Sequence, residues 1–296
     1  MYQYVQEYAN QDTRDSWDEW SGFRNSIGSI LTIAIDRYNL STNRILVLGA
    51  GNGNDVPIDI IEKYFGEIVI VDIDPKALDS FMGKTKQKEK YTKIVIDLSG
   101  FAAQVENLNL VDITDDSLIE LIKKISPKVD LSAIHGKFDV IYNANYFTQL
   151  TIPLGFKYQQ VHVQPPDSIK QAISAITNNT QIQLFQQIEK LLNINGVCLH
   201  SSDFLELNYN PITKEANETC KLVMQVTEGL KYIENVQTIN SLISEKGLRI
   251  EGSTLPVSLI KQIFKTNTVF FLYWPFDHSD MYFKGYVVQL FVFQKL

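Results

Sequence analysis

The sequence predicts an α/β fold, doubly wound around a mostly parallel sheet that closes on an antiparallel C-terminal edge. Three observations carry this. Short apolar runs at 44–48, 68–72, 93–97 and 138–142 are separated by segments with helical spacing, as parallel βαβ units require. The first of these runs are apolar on both sides, which suits strands covered by helices on both faces. The last two strand-like runs, 268–274 and 285–294, lie too close together for a helical crossover, so they should pair antiparallel.

Residues 1–42 precede the first strand and read as a helical extension. In it Ile27, Ile30, Leu31, Ala34 and Ile35 form one stripe of a helix over 23–38. The first strand, 44–48, leads through a glycine-rich turn to a helix over about 55–65, with Val56, Ile60, Ile61 and Tyr64 three to four apart. A second strand, 68–72, is followed by Pro75, which suits the first turn of a helix over 75–82. Beyond the third strand at 93–97, Thr114 and Asp115 are cap candidates for an amphipathic helix over 115–125, which stops before Pro127. After the fourth strand at 138–142, residues 167–192 read as helical, with Asn178-Asn179 a plausible break. Asn195-Gly196 then turns the chain into a fifth strand at 197–201. A helix over 236–245 and a strand over 248–252 are expected before the two tail strands. The expected division is a helical N-terminal extension or lid, 1–42, and one domain, 43–296, with insertions at about 203–232 and 253–284.

The whole chain bounds the function. At 296 residues with 45% hydrophobic content it can bury a sizeable core. The net charge of −7 argues against a nucleic-acid partner, because phosphate binding usually needs a basic face. Cys198 and Cys220 show no CxxC or Cys/His spacing, so no metal site is expected. A reduced, cytoplasmic setting is the simpler reading of two such thiols. The polar, acidic N-terminus is no signal peptide, and no run is long enough to span a membrane.

The most informative stretch is Gly49-Ala50-Gly51-Asn52-Gly53, which empties an apolar strand into a helix. Such a turn lets a small ligand rest on bare backbone at the carboxyl end of a parallel strand. A dinucleotide fingerprint would place its third glycine at position 54, where Asn54 stands. A phosphate-cradling loop needs a Lys and a hydroxyl, and the turn has neither. Asp55, read as a helix-start acid, would oppose a diphosphate. S-adenosylmethionine (SAM) carries no phosphate. An acid in the first helical turn can meet its ammonium, and an acid closing the second strand can accept both ribose hydroxyls.

Here the chain resembles the class I SAM-dependent methyltransferase superfamily over roughly 45–202. The family's G-x-G-x-G turn is matched by Gly49, Gly51 and Gly53, and the acid closing its second strand by Asp72-Ile73-Asp74-Pro75. Asp97-Leu98 stands where the family commonly contacts adenine, Lys137–Ala144 resembles the segment of its fourth strand, and Asn195-Gly196 resembles its turn before the fifth. The resemblance implies a seven-stranded Rossmann-like methyltransferase fold, SAM as cofactor and S-adenosylhomocysteine as product. It also implies a cofactor site of Gly49, Ala50, Gly51, Gly53, Asp55, Asp72, Ile73, Asp97, Leu98, Asn143 and Ala144. The family's N-P-P-[YF] signature for exocyclic amines is replaced by Asn143-Ala144-Asn145-Tyr146, which argues against methylation of DNA bases.

Several of these residues have plainer readings. Asp74 is better read as a helix cap, and Asp55 serves equally as a helix-dipole acid. The catalytic residue is not identified; His162 and Asp203 are weak candidates, because segments after the fourth and fifth strands border the ligand side. His200 reads as a core or sheet-end histidine. Tyr4, Tyr8, Trp17, Trp20 and Phe23 fit either a lid or the packing of the N-terminal helix. The leading expectation is methyl transfer to a small molecule. The alternatives are a protein-directed methyltransferase and a SAM-binding protein without catalysis, with an NAD-dependent oxidoreductase least favoured.

Overall fold

Parallel pairing at the centre of the molecule follows from strands that are apolar on both faces. Strand β1 (Arg44–Leu48) pairs in parallel with β2 (Glu67–Asp72) on one side and with β4 (Phe138–Asn143) on the other. Strand β3 (Tyr91–Val95) extends the sheet beyond β2, and β5 (Leu192–Tyr209) extends it beyond β4. The tail forms the expected antiparallel hairpin edge. Within it β7 (Tyr282–Lys295) lies antiparallel between β5 and β6 (Phe264–Ser279). The resulting seven-stranded order is β3-β2-β1-β4-β5-β7-β6. This computed structural model describes residues 2–108, 110, 112–147, 149–160, 163, 165–209, 255–279 and 282–296. The helix expected over 236–245, the strand over 248–252, Cys220 and His162 lie outside the described residues.

Helices cover both faces. On one, α2 (Ser21–Tyr38) and α3 (Ile58–Tyr64) bring Ile27, Leu31 and Ile61 against Ile45, Val47, Tyr142 and Leu199. Alternation along the strands sends Asn143 and His200 to the opposite face. There α8 (Asp167–Leu191) buries Leu184, Phe185 and Ile188, and the Phe185 ring lies 5.2 Å from that of His200. A smaller core joins α1 (Tyr2–Asp12), α5 (Ala102–Val105), α6 (Asp115–Lys124) and α7 (Ile152–Gln160) to the start of α8 through Tyr2, Phe101, Leu118, Leu154 and Ile169.

Local signals placed several boundaries. Asp74 caps α4 (Pro75–Lys84) by accepting from the Lys76 N–H at 2.8 Å, and Thr114 caps α6 by accepting from the Ser117 N–H. Other boundaries differ from expectation. Helix α3 opens at Ile58 rather than near 55, because residues 50–56 are held in tight turns, such as Gly53 N–H to Ala50 O at 2.9 Å. Asp55 is therefore a loop acid and takes no part in a helix start. Strand β3 ends at Val95, so Asp97 stands two residues past it. Helix α8 is continuous through Asn178-Asn179. Asn195-Gly196 forms a bulge inside β5 rather than a turn before it: pairing jumps from Phe138↔Leu192 to Val140↔Val197, with Asn195 at φ 64°. Strand β5 runs on through residues 203–209, and 264–279 of the expected excursion are the edge strand β6. Helix α9 (Val257–Ile263) precedes that strand.

Candidate functional site

The carboxyl ends of β1, β2 and β4 lie beside the stretch of β5 around His200, and the glycine turn leaves the first of them. Gly49, Gly51 and Gly53 adopt φ of 69°, 48° and 76°, left-handed backbone that favours glycine. Space imposes glycine separately at two of them. A Cβ on Gly49 would fall 1.9 Å from the ring of Tyr146, and one on Gly53 would fall 2.5 Å from that of Phe81. The Ala50 N–H donates to the Val71 carbonyl and the Ala144 N–H to that of Leu48, so the turn is tied to both flanking strands.

Asp72 closes β2 and holds this turn. One carboxylate oxygen accepts from the Gly51 N–H at 2.8 Å and the other from the Asp74 N–H at 3.0 Å. Burial pushes its pKa up to about 6 against these bonds. Asp55 is likewise buried and pushed up to about 6; it accepts from the Asn145 amide at 3.3 Å and feels the Arg24 guanidinium. Two buried acids raised in this way favour cationic or hydroxyl-bearing partners and disfavour anions.

The raised values fix a sign. An acid whose folded pKa exceeds its unfolded value stabilises the fold fully below about pH 4, and that contribution is lost as pH rises through about 6. Each shift corresponds to ~2–3 kcal/mol. Asp55→Asn should therefore raise stability by ~2 kcal/mol at pH 8 and change it little at pH 4. Urea unfolding of the two proteins at both pH values checks this; an equal gain at pH 4 would refute the assignment to ionisation.

A roof lies over the turn. Asn10 of α1 donates to Asp74 at 3.1 Å, and Asn52 donates back to the Asn10 carbonyl. Tyr2 reaches the Leu150 carbonyl at 2.8 Å, and Gln6 reaches that of Gln149. Asn54 donates to the Thr13 carbonyl, while Arg24 donates to the carbonyls of Trp17 and Asn54. Of the N-terminal aromatics, Trp20 and Phe23 take the packing role. Tyr4 and Tyr8 are exposed on α1. Trp20 and Phe23 are buried against Trp274, with ring centroids 4.7 and 5.0 Å away. Trp17 lies under the Arg24 guanidinium, 3.5 Å from its ring centroid.

Asp97 turns back on its own loop. It accepts from the backbone and hydroxyl of Ser99 and from the Ala102 N–H, and Leu98 beside it is buried. Ile73 packs, half-buried, toward the smaller core. Asn143 and Ala144 are both fully buried at the end of β4. The Asn143 amide meets His200 Nδ1 at 3.0 Å, and burial pulls the His200 pKa down to about 3, so the ring is neutral at physiological pH. Asp203 is buried in β5 opposite Val288. Sequence reasoning did not single out Asn10, Asn145, Tyr146 or Gln181. The run Asn143-Ala144-Asn145-Tyr146 was the available signal for two of these, since polar residues leaving a buried strand seldom lack a partner.

Five parallel strands, with a seventh inserted antiparallel between the fifth and the sixth, decide the architecture. It is the Rossmann-like methyltransferase fold. No family model and no curated protein matches the sequence. Among solved structures the chain is similar to the N-methyltransferase NodS from Bradyrhizobium japonicum WM9 in complex with S-adenosylhomocysteine. That likeness has a TM-score of 0.47 at 10% identity, over 99% of this chain and 97% of that one. It is also similar to a SAM-dependent methyltransferase from Anabaena variabilis, with a TM-score of 0.41 at 11% identity over 99% and 95% of the two chains. Among the described residues no helix of this methyltransferase fold is long and apolar enough to cross a membrane, and no cluster of metal-ligating side chains occurs.

Proposed function

We propose that this chain is a SAM-dependent methyltransferase acting on a small molecule. One observation carries the reading: Asp72, at the end of β2, is held by the Gly51 and Asp74 N–H groups beside a turn of three left-handed glycines. The residues fit SAM on chemical grounds. Asp72 would take the ribose hydroxyls, and Asp55 would face the ammonium, whose charge favours the ionised acid. Gly49, Ala50, Gly51 and Gly53 would offer backbone, Ile73 and Leu98 apolar surface, and Asn143 and Ala144 the methionine side. Asp97 uses three of its about four lone-pair sites on Ser99 and Ala102, leaving one for an adenine amine.

When bound, SAM supplies an electrophilic methyl group. The chain's part is to orient the acceptor and exclude water rather than to form a covalent intermediate. Helix α1, whose side chains tie to residues 74, 149 and 150, would act as the lid of an N-terminal extension over 1–42, with 43–296 as the catalytic domain. A roof of that kind favours a small acceptor over a protein or nucleic acid. His200, neutral and enclosed, would position rather than take a proton.

Calorimetry with SAM and S-adenosylhomocysteine tests the first half: micromolar binding is expected, and no binding of either would end the proposal. Labelled methyl transfer into small-molecule and macromolecular fractions of a cell extract tests the second. Incorporation confined to protein would favour the protein-directed alternative, and tight binding without incorporation the non-catalytic one.

A further inference from the structure

Five side chains with buried polar atoms lacking a partner gather where the carboxyl end of β4 meets β5 at His200. They are Asn143 (Oδ1), Asn145 (Oδ1), Tyr146 (OH), His200 (Nε2) and Gln181, where both amide atoms are unpartnered. All five are at least nine-tenths buried. Native interiors leave few such atoms, and each needs a cause.

The five are contiguous. Asn143 and His200 are paired across β4 and β5 in register and touch at 3.0 Å. The Phe147 ring bridges them to Tyr146, lying 4.7 Å from His200 and 5.2 Å from Tyr146. Phe185 touches both Phe147 and His200, and Gln181 stands one helical turn before Phe185 on α8. Because α8 runs back from the carboxyl end of β4 to the start of the parallel β5, Gln181 lies one turn nearer than Phe185 to the carboxyl end of β4. Tyr146 also covers Gly49, so the cluster abuts the glycine turn. Phe147, Phe185, Phe291 and Phe293 wall it around His200. Apolar walls with a few converging polar groups are what a small-molecule pocket offers.

The charge pattern narrows the ligand. Amides, a phenol and a neutral imidazole supply both donors and acceptors. Among the described residues no lysine or arginine bonds to any of the five, while Asp55 bonds to Asn145. A carboxylate or phosphate entering here would be desolvated beside an acid, with no lysine or arginine bonded to the cluster to offset it.

We infer that Asn143, Asn145, Tyr146, His200 and Gln181 form the acceptor pocket, and that it takes a neutral molecule carrying hydrogen-bonding groups, such as a carboxamide or a phenol. The inference rests on the methyl-transfer reading for the word acceptor, but the pocket and its preference can be measured apart from it. Nicotinamide, phenol, benzoate and inorganic phosphate serve as probes, titrated by calorimetry and saturation-transfer NMR with and without S-adenosylhomocysteine. Nicotinamide and phenol should bind, benzoate and phosphate at least ten-fold more weakly. Gln181→Leu, close in size, should weaken nicotinamide at least ten-fold while leaving S-adenosylhomocysteine affinity within about three-fold; His200→Phe should do the same to nicotinamide. The inference is overturned if no probe binds, if benzoate or phosphate binds as well as nicotinamide, or if nicotinamide is indifferent to both variants. Should neither variant fold, the ranking of the four probes on the wild-type chain still decides. Failure of S-adenosylhomocysteine to bind would sink the cofactor reading alone, since the probe titrations without it still read the pocket.

Discussion

Gly49→Ala should destabilise the chain by ~2–5 kcal/mol, the sum of a strained left-handed backbone and an overpacked core. The new Cβ would meet three atoms of the Tyr146 ring, at 1.9, 2.5 and 2.8 Å, and that ring is buried. Relief requires either the turn or the loop after β4 to move, and the Ala50 and Ala144 N–H bonds resist both. Gly53→Ala should follow closely, since its Cβ would press at 2.5 Å into Phe81, which is fully buried. Gly51 is the control. Its φ is also left-handed, yet the nearest atom to a Cβ is Asn10 Oδ1 at 3.4 Å, so only the backbone cost of ~1 kcal/mol remains. Urea midpoints of the three variants measure the order. A Gly51 variant as damaged as the Gly49 variant would mean that backbone strain alone matters and that Tyr146 is not packed as described.

The second large effect concerns binding. Asp72→Ala should weaken S-adenosylhomocysteine at least 100-fold in calorimetry, equivalent to ~2.8 kcal/mol and to the loss of one or two charge-assisted hydrogen bonds. Its effect on folding should be smaller. The Gly51 and Asp74 N–H groups lose an acceptor, but the cost of burying a carboxylate above pH 6 disappears as well. Asp74→Ala separates the two roles. It removes the α4 cap and the tie to Asn10, for ~1 kcal/mol of stability, and should leave affinity within a few-fold. Equal loss of affinity in both variants would assign the effect to disorder of the loop rather than to the Asp72 carboxylate.

What was legible in the sequence was local. The strand over 44–48, the acid closing β2, and the caps Asp74 and Thr114 depend on neighbours a few residues away, and the chain shows them directly. Within the expected helical extension the bounds of α1 were not legible, because its order comes from remote partners: Tyr2 bonds to Leu150 and Asn10 to Asp74. The length of β5 was hidden for the same reason. Its continuation through 203–209 is fixed by pairing with 283–288 of β7, nearly eighty residues on. At the site, the glycines and Asp72 follow one another in the chain and could be read together. The contact of Asn143 with His200 depends on strand register across β4 and β5, with α8 between them in sequence, and no local pattern encodes register of that kind.

The insertion of β7 between β5 and β6 also dictates an order of assembly. Among the described residues β6 pairs only with β7, so residues 264–279 have no place in the sheet until residues 282–295 have been synthesised. Trp20 and Phe23, made well before Trp274, find it only then. The five parallel strands can associate earlier, but the helix that leads into β1 waits for Trp274 to leave the ribosome before its aromatic end is covered. Such long-range closure is slow and leaves apolar surface open meanwhile, so this hairpin depends on protection during synthesis.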